Sequence, residues 1–315
     1  MKSVGVAIVS YNTCALLRDC LASLRACTQP LQTVVLDNGS RDGSPAMVRA
    51  EFPEVILLEP GRNLGFAAGN NYALNHLFGA PNVACDTPAA LLLNPDTVVG
   101  AGAIEALVAF LVAHPRVGVV GPRLLNPDGS VQSAAFRFPT LSMTALDLFP
   151  PGQVLPGRLY NSWLHGRYPH EANASQPFSI DHPLGACMLV RREVITQTGG
   201  FDPAFFMYAE EIEWCLRIRQ AGWAIWQEPA ARVIHHGGAS TSQFRTNMQI
   251  ALWESRMRLF KKHYSAAVVR AHATLIRLGM LRLTLLAWRD FAQGLLDRSD
   301  LRARLWTFGQ ILRLL

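Results

Sequence analysis

No two of the six cysteines, at positions 14, 20, 27, 85, 187 and 215, stand in C-x-x-C spacing. That excludes a zinc ribbon or a thioredoxin-like redox pair, and the scatter fits reduced, structural thiols of a cytosolic protein. No stretch of about 20 apolar residues runs free of charge, so no membrane-spanning helix is expected. The apolar run nearest the start, residues 4–9, is too short for a signal-peptide core. The common phosphate-cradling loops are missing as well. There is no G-x-x-x-x-G-K-S/T, and no G-x-G-x-x-G follows the first apolar run, so neither a P-loop enzyme nor a dinucleotide fold is indicated. Charged residues make up only 17% of the 315 residues against 50% hydrophobic, a balance that buries a core and argues against disorder.

The charge that is present is unevenly placed. Residues 245–315 hold 13 Lys/Arg and 4 Asp/Glu, leaving 16 and 19 for residues 1–244. The body is slightly acidic and does not read as a nucleic-acid binder, whereas the basic tail points to an anionic surface.

Along the first 120 residues, short apolar runs alternate with helical spacing. Strands are expected near 4–9, 33–36, 55–58, 89–93 and 117–120, and helices near 14–27, 44–51, 66–78 and 101–114. That alternation implies an α/β fold with a mostly parallel sheet covered on both faces. Residues 123–183 are rich in Pro, Gly, Asn and Ser and read as hairpin and loop material over the sheet edge, with a turn at Asn126-Pro127-Asp128-Gly129. A strand at 185–190 and a helix at 209–220 follow.

Ligands of parallel sheets gather at the carboxyl ends of the strands. There the chain places Ser10-Tyr11-Asn12, then Asp37-Asn38-Gly39-Ser40, then Asn63-Leu64-Gly65-Phe66, then Asn94-Pro95-Asp96. Any one of these groups alone is ordinary turn chemistry. Four in succession on one edge imply a shared polar ligand, because a carboxylate ending a buried strand costs desolvation unless it is partnered. Uracil or thymine with ribose fits, Asp37 accepting from a base N–H or a ribose hydroxyl. With no Gly-rich loop, a diphosphate here needs a metal, and Asp96 is the natural oxygen ligand. Glu210, Glu211 and Glu213 open a helix, with Glu210 and Glu213 on one face and Glu211 about 100° away. As an acidic first turn they answer the helix dipole. Beside the aromatic lead-in Phe205-Phe206-Met207-Tyr208 they also have the apolar surroundings that raise a carboxyl pKa towards that of a general base. His235-His236-Gly237-Gly238 follows a further apolar run, and a neutral imidazole there is a good ligand for a divalent ion.

Read in order, Val9-Ser10-Tyr11-Asn12, the Asp37–Ser44 segment, Asn63-Leu64-Gly65-Phe66-Ala67-Ala68-Gly69-Asn70, Leu92-Leu93-Asn94-Pro95-Asp96, Gly199-Gly200-Phe201-Asp202, Glu210-Glu211-Ile212-Glu213 and His235-His236-Gly237-Gly238-Ala239-Ser240 resemble the family 2 glycosyltransferases, in particular their bacterial rhamnosyltransferase-like subgroup. The resemblance spans roughly residues 4–245. It implies a GT-A fold, inversion at the anomeric carbon and a divalent cation, Mg2+ or Mn2+, under the donor diphosphate. It implies donor contacts from Ser10, Tyr11, Asn12, Asp37, Asn38, Ser40, Asn63, Gly65, Phe66, Asn70 and Asn94. It further implies acceptor contacts from Gly185, Ala186, Phe206 and Tyr208, and metal ligation by Asp96 and His235. The family's base falls at Glu211. Two departures stand out. Asn94-Pro95-Asp96 replaces the commoner Asp-x-Asp, leaving one carboxylate for the ion, and Glu-Glu replaces Glu-Asp, leaving Glu210 and Glu211 both as candidates for the base.

The expected organisation is a catalytic domain over 1–244, with a nucleotide-binding half (1–122) and an acceptor-binding half (123–244), followed by a basic amphipathic helical tail over 245–315. The expected reaction moves rhamnose from a dTDP donor to a hydroxyl of a glycan or lipid-linked acceptor. A galactofuranosyl or hexosyl transfer from a UDP donor is the alternative, and an inactive sugar-nucleotide-binding scaffold is the rival of another class. A sugar-nucleotide pyrophosphorylase is disfavoured because Ser10-Tyr11-Asn12 offers neither its Gly-rich loop nor its basic residue. Trp253, Met257, Phe260 and Tyr264 recur at helical spacing among basic residues. The expected location is therefore peripheral, on the inner face of the cytoplasmic membrane, with packing on the body or on a second copy of the chain as the competing use of the stripe.

Overall fold

The structure, a computed structural model, describes residues 3–79, 87–150, 159–237 and 245–315, the last segment with side chains from residue 248 onward. Cys85 and the Gly238-Ala239-Ser240 end of the histidine motif lie outside the described residues. The chain divides into two compact units. The first comprises Met1–Phe138, His170–Phe206 and Glu210–Ser240; the second comprises Pro139–Pro169, Met207–Ala209 and Thr241–Leu315.

The first unit opens with β1 (Val4–Ser10), α1 (Cys14–Arg25), β2 (Leu31–Asp37), α2 (Ser44–Glu51), β3 (Ile56–Leu58), α3 (Phe66–Gly79) and β4 (Ala89–Leu93). All seven residues of β1 and all five of β4 are buried, as unbroken apolar runs require when helices cover both faces of a sheet. After β4 come β5 (Thr97–Val99), α4 (Ala103–Ala113), β6 (Val117–Leu125), β7 (Val131–Gln132) and β8 (Ala135–Phe136). A short helix of the second unit, α5 (Leu141–Leu148), intervenes in the chain. The first unit resumes with β9 (Phe178–Ser179), β10 (His182–Pro183), β11 (Cys187–Arg191), α6 (Arg192–Thr198), α7 (Glu210–Gln220) and β12 (Ala224–His235).

The main sheet runs β3-β2-β1-β4-β11-β6-β12-β5. Strands β3, β2, β1 and β4 are mutually parallel, so the residues that follow them share one edge. Strand β11 lies antiparallel between β4 and β6, and β12 runs parallel to β6 and antiparallel to β5. Val6, Ile8, Leu17, Leu21, Leu91, Ile104 and Leu107 anchor the core between sheet and helices. Each contributes about 1.5–3 kcal/mol by leaving water.

The second unit is helical: α5, α8 (Arg245–His263), α9 (Ala266–Ala292) and α10 (Arg298–Arg313). Residues 139–169, expected as hairpin and loop material, carry α5 and a 3-10 turn and group with these helices. His272 is fully buried. It meets Thr144 Oγ1 at 3.0 Å and stacks on Phe260 with ring centroids 3.8 Å apart, and burial pushes its pKa down to about 4. Trp253, Met257 and Phe260 are core residues of this unit, and the Tyr264 hydroxyl donates to the Pro139 carbonyl. The stripe read as a surface face is thus an interior one, because helical spacing reveals an apolar side without revealing what covers it. Among the described residues no helix is long and apolar enough to cross a membrane.

Candidate functional site

The polar rim assembles at the carboxyl edge of β1–β4. Ser10 and Asp37 end their strands in register, and the Asn38 N–H donates to the Ser10 carbonyl. Asp37 is buried. Its Oδ2 accepts from the N–H groups of Gly39 and Ser40 at 3.0 and 2.9 Å, while its Oδ1 is buried without a partner. An unmet carboxylate oxygen at a strand end costs desolvation and is suited to a ligand donor. Several neighbours are engaged within the rim. Asn38 accepts from the Leu64 N–H and donates to the Gly65 carbonyl, and Ser40 Oγ accepts from the Asn12 N–H. Asn12 sits at φ +52° with its Oδ1 accepting from the Arg41 N–H, and Ser10 pairs with Thr13 at 3.0 Å. Asn63 Oδ1 accepts from the Gly65 N–H, and Asn70 donates to the Phe66 carbonyl inside α3. Tyr11 is half-buried between these turns.

Gly65 is where the rim meets the segment before α7. It has φ +80°, and a Cβ there would lie 2.7 Å from both the Phe206 ring and the Phe206 carbonyl. The Phe66 N–H donates to that same carbonyl at 2.9 Å. Phe206 keeps an exposed ring face on the rim. Two side chains hold the incoming strand of chain: Asn71 exchanges two hydrogen bonds with the Phe201 backbone, and Arg217, paired with buried Glu213, donates to the Thr198 and Gly200 carbonyls. Glu213 therefore serves the framework. Tyr208 belongs to the second unit, half-buried at φ +70°, and Ala209 follows at φ +62°. Left-handed backbone at such residues costs about 1–2 kcal/mol each.

The two acidic residues at the start of α7 differ in environment. Glu210 is buried, with Oε2 lacking a partner, and burial followed by the neighbouring Glu211 charge pushes its pKa well up. Glu211 is half-buried, and burial raises its pKa to about 7 despite backbone hydrogen bonds that lower it. Gly185 faces it: a Cβ on Gly185 would lie 3.5 Å from the Glu211 Cβ and Cγ, so the missing side chain leaves room beside the carboxylate. The adjoining Ala186 carbonyl accepts from the Asn94 N–H, which brings the β4 end alongside, and Asn94 Oδ1 is buried without a partner.

Strand β12 delivers His235 to Asp96, with Nε2 3.4 Å from Asp96 Oδ1, and the His236 N–H donates to the Asp96 carbonyl. Gln132, which sequence reasoning passed over, fixes the ring. Its amide nitrogen donates to Asn126 Oδ1 at 2.9 Å, so its Oε1 faces His235 Nδ1 at 2.7 Å and accepts the proton there. With Nδ1 engaged by Gln132, Nε2 is the ring nitrogen aimed at the Asp96 side, the orientation that ligation of a cation there would use. Among the described residues no group of three or more His, Cys, Asp or Glu side chains gathers as a metal site. Asp96 and His235 offer one oxygen and one nitrogen donor, a partial set that a divalent cation could complete only with oxygens from outside the protein. The turn Asn126-Pro127-Asp128-Gly129 is the signal that could have found Gln132, because it folds β7 back on β6 beneath the end of β12.

A mostly parallel α/β sheet with its polar residues on the strand ends is the architecture of the GT-A nucleotide-sugar enzymes. The chain matches the family described as glycosyltransferase like family 2 over residues 2–258 and belongs to it; it is a glycosyltransferase. It is 34% identical over 242 residues to the N-acetylglucosaminyl-diphospho-decaprenol L-rhamnosyltransferase of Mycobacterium tuberculosis, covering 76% of this chain and 77% of that one. It is 26% identical over 219 residues to a low-salt glycan biosynthesis hexosyltransferase of Haloferax volcanii, covering 70% and 63%. Among solved structures, the mannosyltransferase of Pyrobaculum calidifontis in complex with GDP-Man and Mn2+ aligns over 99% of this chain and 85% of its own, with TM-score 0.56 and 19% identity, a likeness of fold.

Proposed function

We propose that this glycosyltransferase inverts the anomeric centre, moving rhamnose from a dTDP-linked donor to a hydroxyl of a glycan or lipid-linked acceptor, with Glu211 as the base. One observation carries the reading: Glu211 borders the gap left by Gly185, with burial raising its pKa to about 7, while its partner Glu210 is buried with its pKa pushed well up. Burial and the neighbouring Glu211 charge favour the proton on Glu210, so the negative charge of the pair falls to Glu211. That residue is open enough to meet an acceptor and basic enough to take its proton near neutral pH.

Asp37 seats the nucleoside through its unmet Oδ1, and the exposed face of Phe206 beside Gly65 borders the acceptor. The acceptor hydroxyl attacks the anomeric carbon as Glu211 removes its proton, and the bond to the diphosphate breaks with the electron pair leaving on the diphosphate oxygen. One displacement inverts the centre, so no covalent enzyme intermediate forms. A divalent cation held by Asp96 and His235 would neutralise the charge that gathers on the leaving diphosphate. Support for rhamnose and a lipid-diphosphate acceptor comes from the 34% identical mycobacterial relative, an N-acetylglucosaminyl-diphospho-decaprenol L-rhamnosyltransferase. That acceptor class would place the protein peripherally on the inner face of the cytoplasmic membrane.

The test is to supply dTDP-rhamnose or UDP-hexoses with Mg2+ or Mn2+ and N-acetylglucosaminyl-diphospho-polyprenol. Acceptor-dependent release of dTDP with an inverted product linkage is expected. Turnover of only a UDP-sugar would overturn the donor, a retained configuration would overturn the single displacement, and no release with any donor would favour an inactive binding scaffold.

A further inference from the structure

A helix on the surface of a globular unit needs one apolar stripe; α9 carries two. The first is buried: His272, Ala273, Ile276, Gly279, Met280 and Ala287 face inward. Gly279 packs so closely on α5 that a Cβ would lie 2.8 Å from Leu148. The second stripe is Leu278, Leu281, Leu285 and Trp288, spaced three, four and three residues apart, and these side chains are 51%, 57%, 62% and 50% exposed. At 1.5 Å per residue the stripe is about 15 Å long. Contiguous apolar surface of that kind marks a partner.

The charges beside it say which partner. Residues 254–290 contain eight Lys/Arg against two acidic residues, Glu254 and Asp290, which pair with Arg258 and Arg289 and leave a strong cationic excess. At about 100° per residue, exposed Arg277 lies roughly 60° to one side of the centre of the stripe, and exposed Arg289, which also pairs with Asp290 at 2.7 Å, roughly 60° to the other. A second copy docking on the same face would bring two such cationic strips together, which like-charge repulsion opposes. An anionic lipid surface matches both features: acyl chains for the leucines, phosphates for the flanking arginines, and the headgroup boundary for Trp288, where amphipathic rings settle.

We propose that the outer face of α9, formed by Leu278, Leu281, Leu285 and Trp288, is the surface on which this protein lies flat on an anionic membrane. This deepens the peripheral placement given under the proposed function and rests on it, and it replaces the interior Trp253–Phe260 stripe with a different face. The helix lies in the plane of the interface with its inward stripe still packed on its own unit, so docking needs no unfolding.

The experiment is flotation of the full-length protein with phosphatidylcholine vesicles containing 0 or 40% phosphatidylglycerol. It compares the native chain with L281S/L285S and with L164S, a change at an exposed leucine elsewhere in the same unit. Melting temperature serves as the check on folding. The native chain and L164S should float on anionic vesicles and stay behind on neutral ones. L281S/L285S should lose at least tenfold in partition coefficient with its melting temperature kept. Equal flotation of the native chain and L281S/L285S would overturn the α9 face while leaving peripheral attachment standing, whereas a native chain that floats on neither vesicle overturns both. Dimerisation lost in L281S/L285S, with no flotation of the native chain, would assign the face to a second copy instead.

Discussion

The raised pKa of Glu211 makes a quantitative demand on the pH profile. A base titrating at about 7 is about 9% ionised at pH 6 and about 91% at pH 8, so kcat/KM should rise about tenfold between them. A carboxylate at its ordinary value of 4.5 would be almost fully ionised at both, and the profile would be flat. The assay is kcat/KM for the acceptor at saturating donor and divalent cation, because kcat/KM reports the ionisation of Glu211 before the acceptor covers it. Glu211→Gln keeps the shape of the side chain but cannot take a proton, and should cost about 10²–10⁴ in kcat with donor affinity retained. The residual activity should lose the acidic limb. A flat native profile, or the same limb persisting in Glu211→Gln, would refute Glu211 as the base. An inactive Glu210→Gln beside an active Glu211→Gln would reverse the pair. The same shift bears on stability. The folded protein holds protons at this pair that the unfolded chain has released, so stability should fall as pH rises from about 4.5 towards 7.

Asp37→Ala removes the unmet oxygen with its charge and should weaken donor binding by about 10–150-fold, the worth of a hydrogen bond to a charged group, as read by calorimetry. Unchanged affinity would release Asp37 from the nucleoside. Gln132→Leu frees the His235 ring and should lower Mn2+ affinity about 10–100-fold by electron paramagnetic resonance, while Gln132→Glu, which still accepts from Nδ1, should keep it. Equal affinities in all three would remove Gln132 from the site. Gly65→Ala forces a Cβ onto Phe206 at φ +80° and should lower stability by about 2–4 kcal/mol, seen as a reduced melting temperature and a loss of donor binding together.

The rim was legible in the sequence because its chemistry is local. Apolar runs punctuated by Asp, Asn and Gly delimit β1, α2 and β4 almost to the residue, and parallel pairing then puts Asp37 and Asn94 on one edge. Features that depend on tertiary pairing were not legible. Strand β5 has three residues and no pattern of its own, and it exists because β12 runs antiparallel beside it. Strand β12 is interrupted by Glu228, Pro229 and a register shift before Arg232, which hides a 12-residue strand. Gln132 is an ordinary strand residue until the hairpin carries it to His235. In α9 the apolar residues lie on both sides, so periodicity alone could not say that Leu281 faces out while Met280 faces in.

The most direct measurement is a crystal structure with dTDP and Mn2+, with an anomalous difference map at the manganese edge. The expected result is one peak within about 2.0–2.3 Å of an Asp96 carboxylate oxygen and of His235 Nε2, touching the diphosphate, with the thymidine hydrogen-bonded to Asp37 and open space between the diphosphate and Glu211. A peak away from Asp96, or a nucleoside bound elsewhere than the Asp37 end of the sheet, contradicts the assignment.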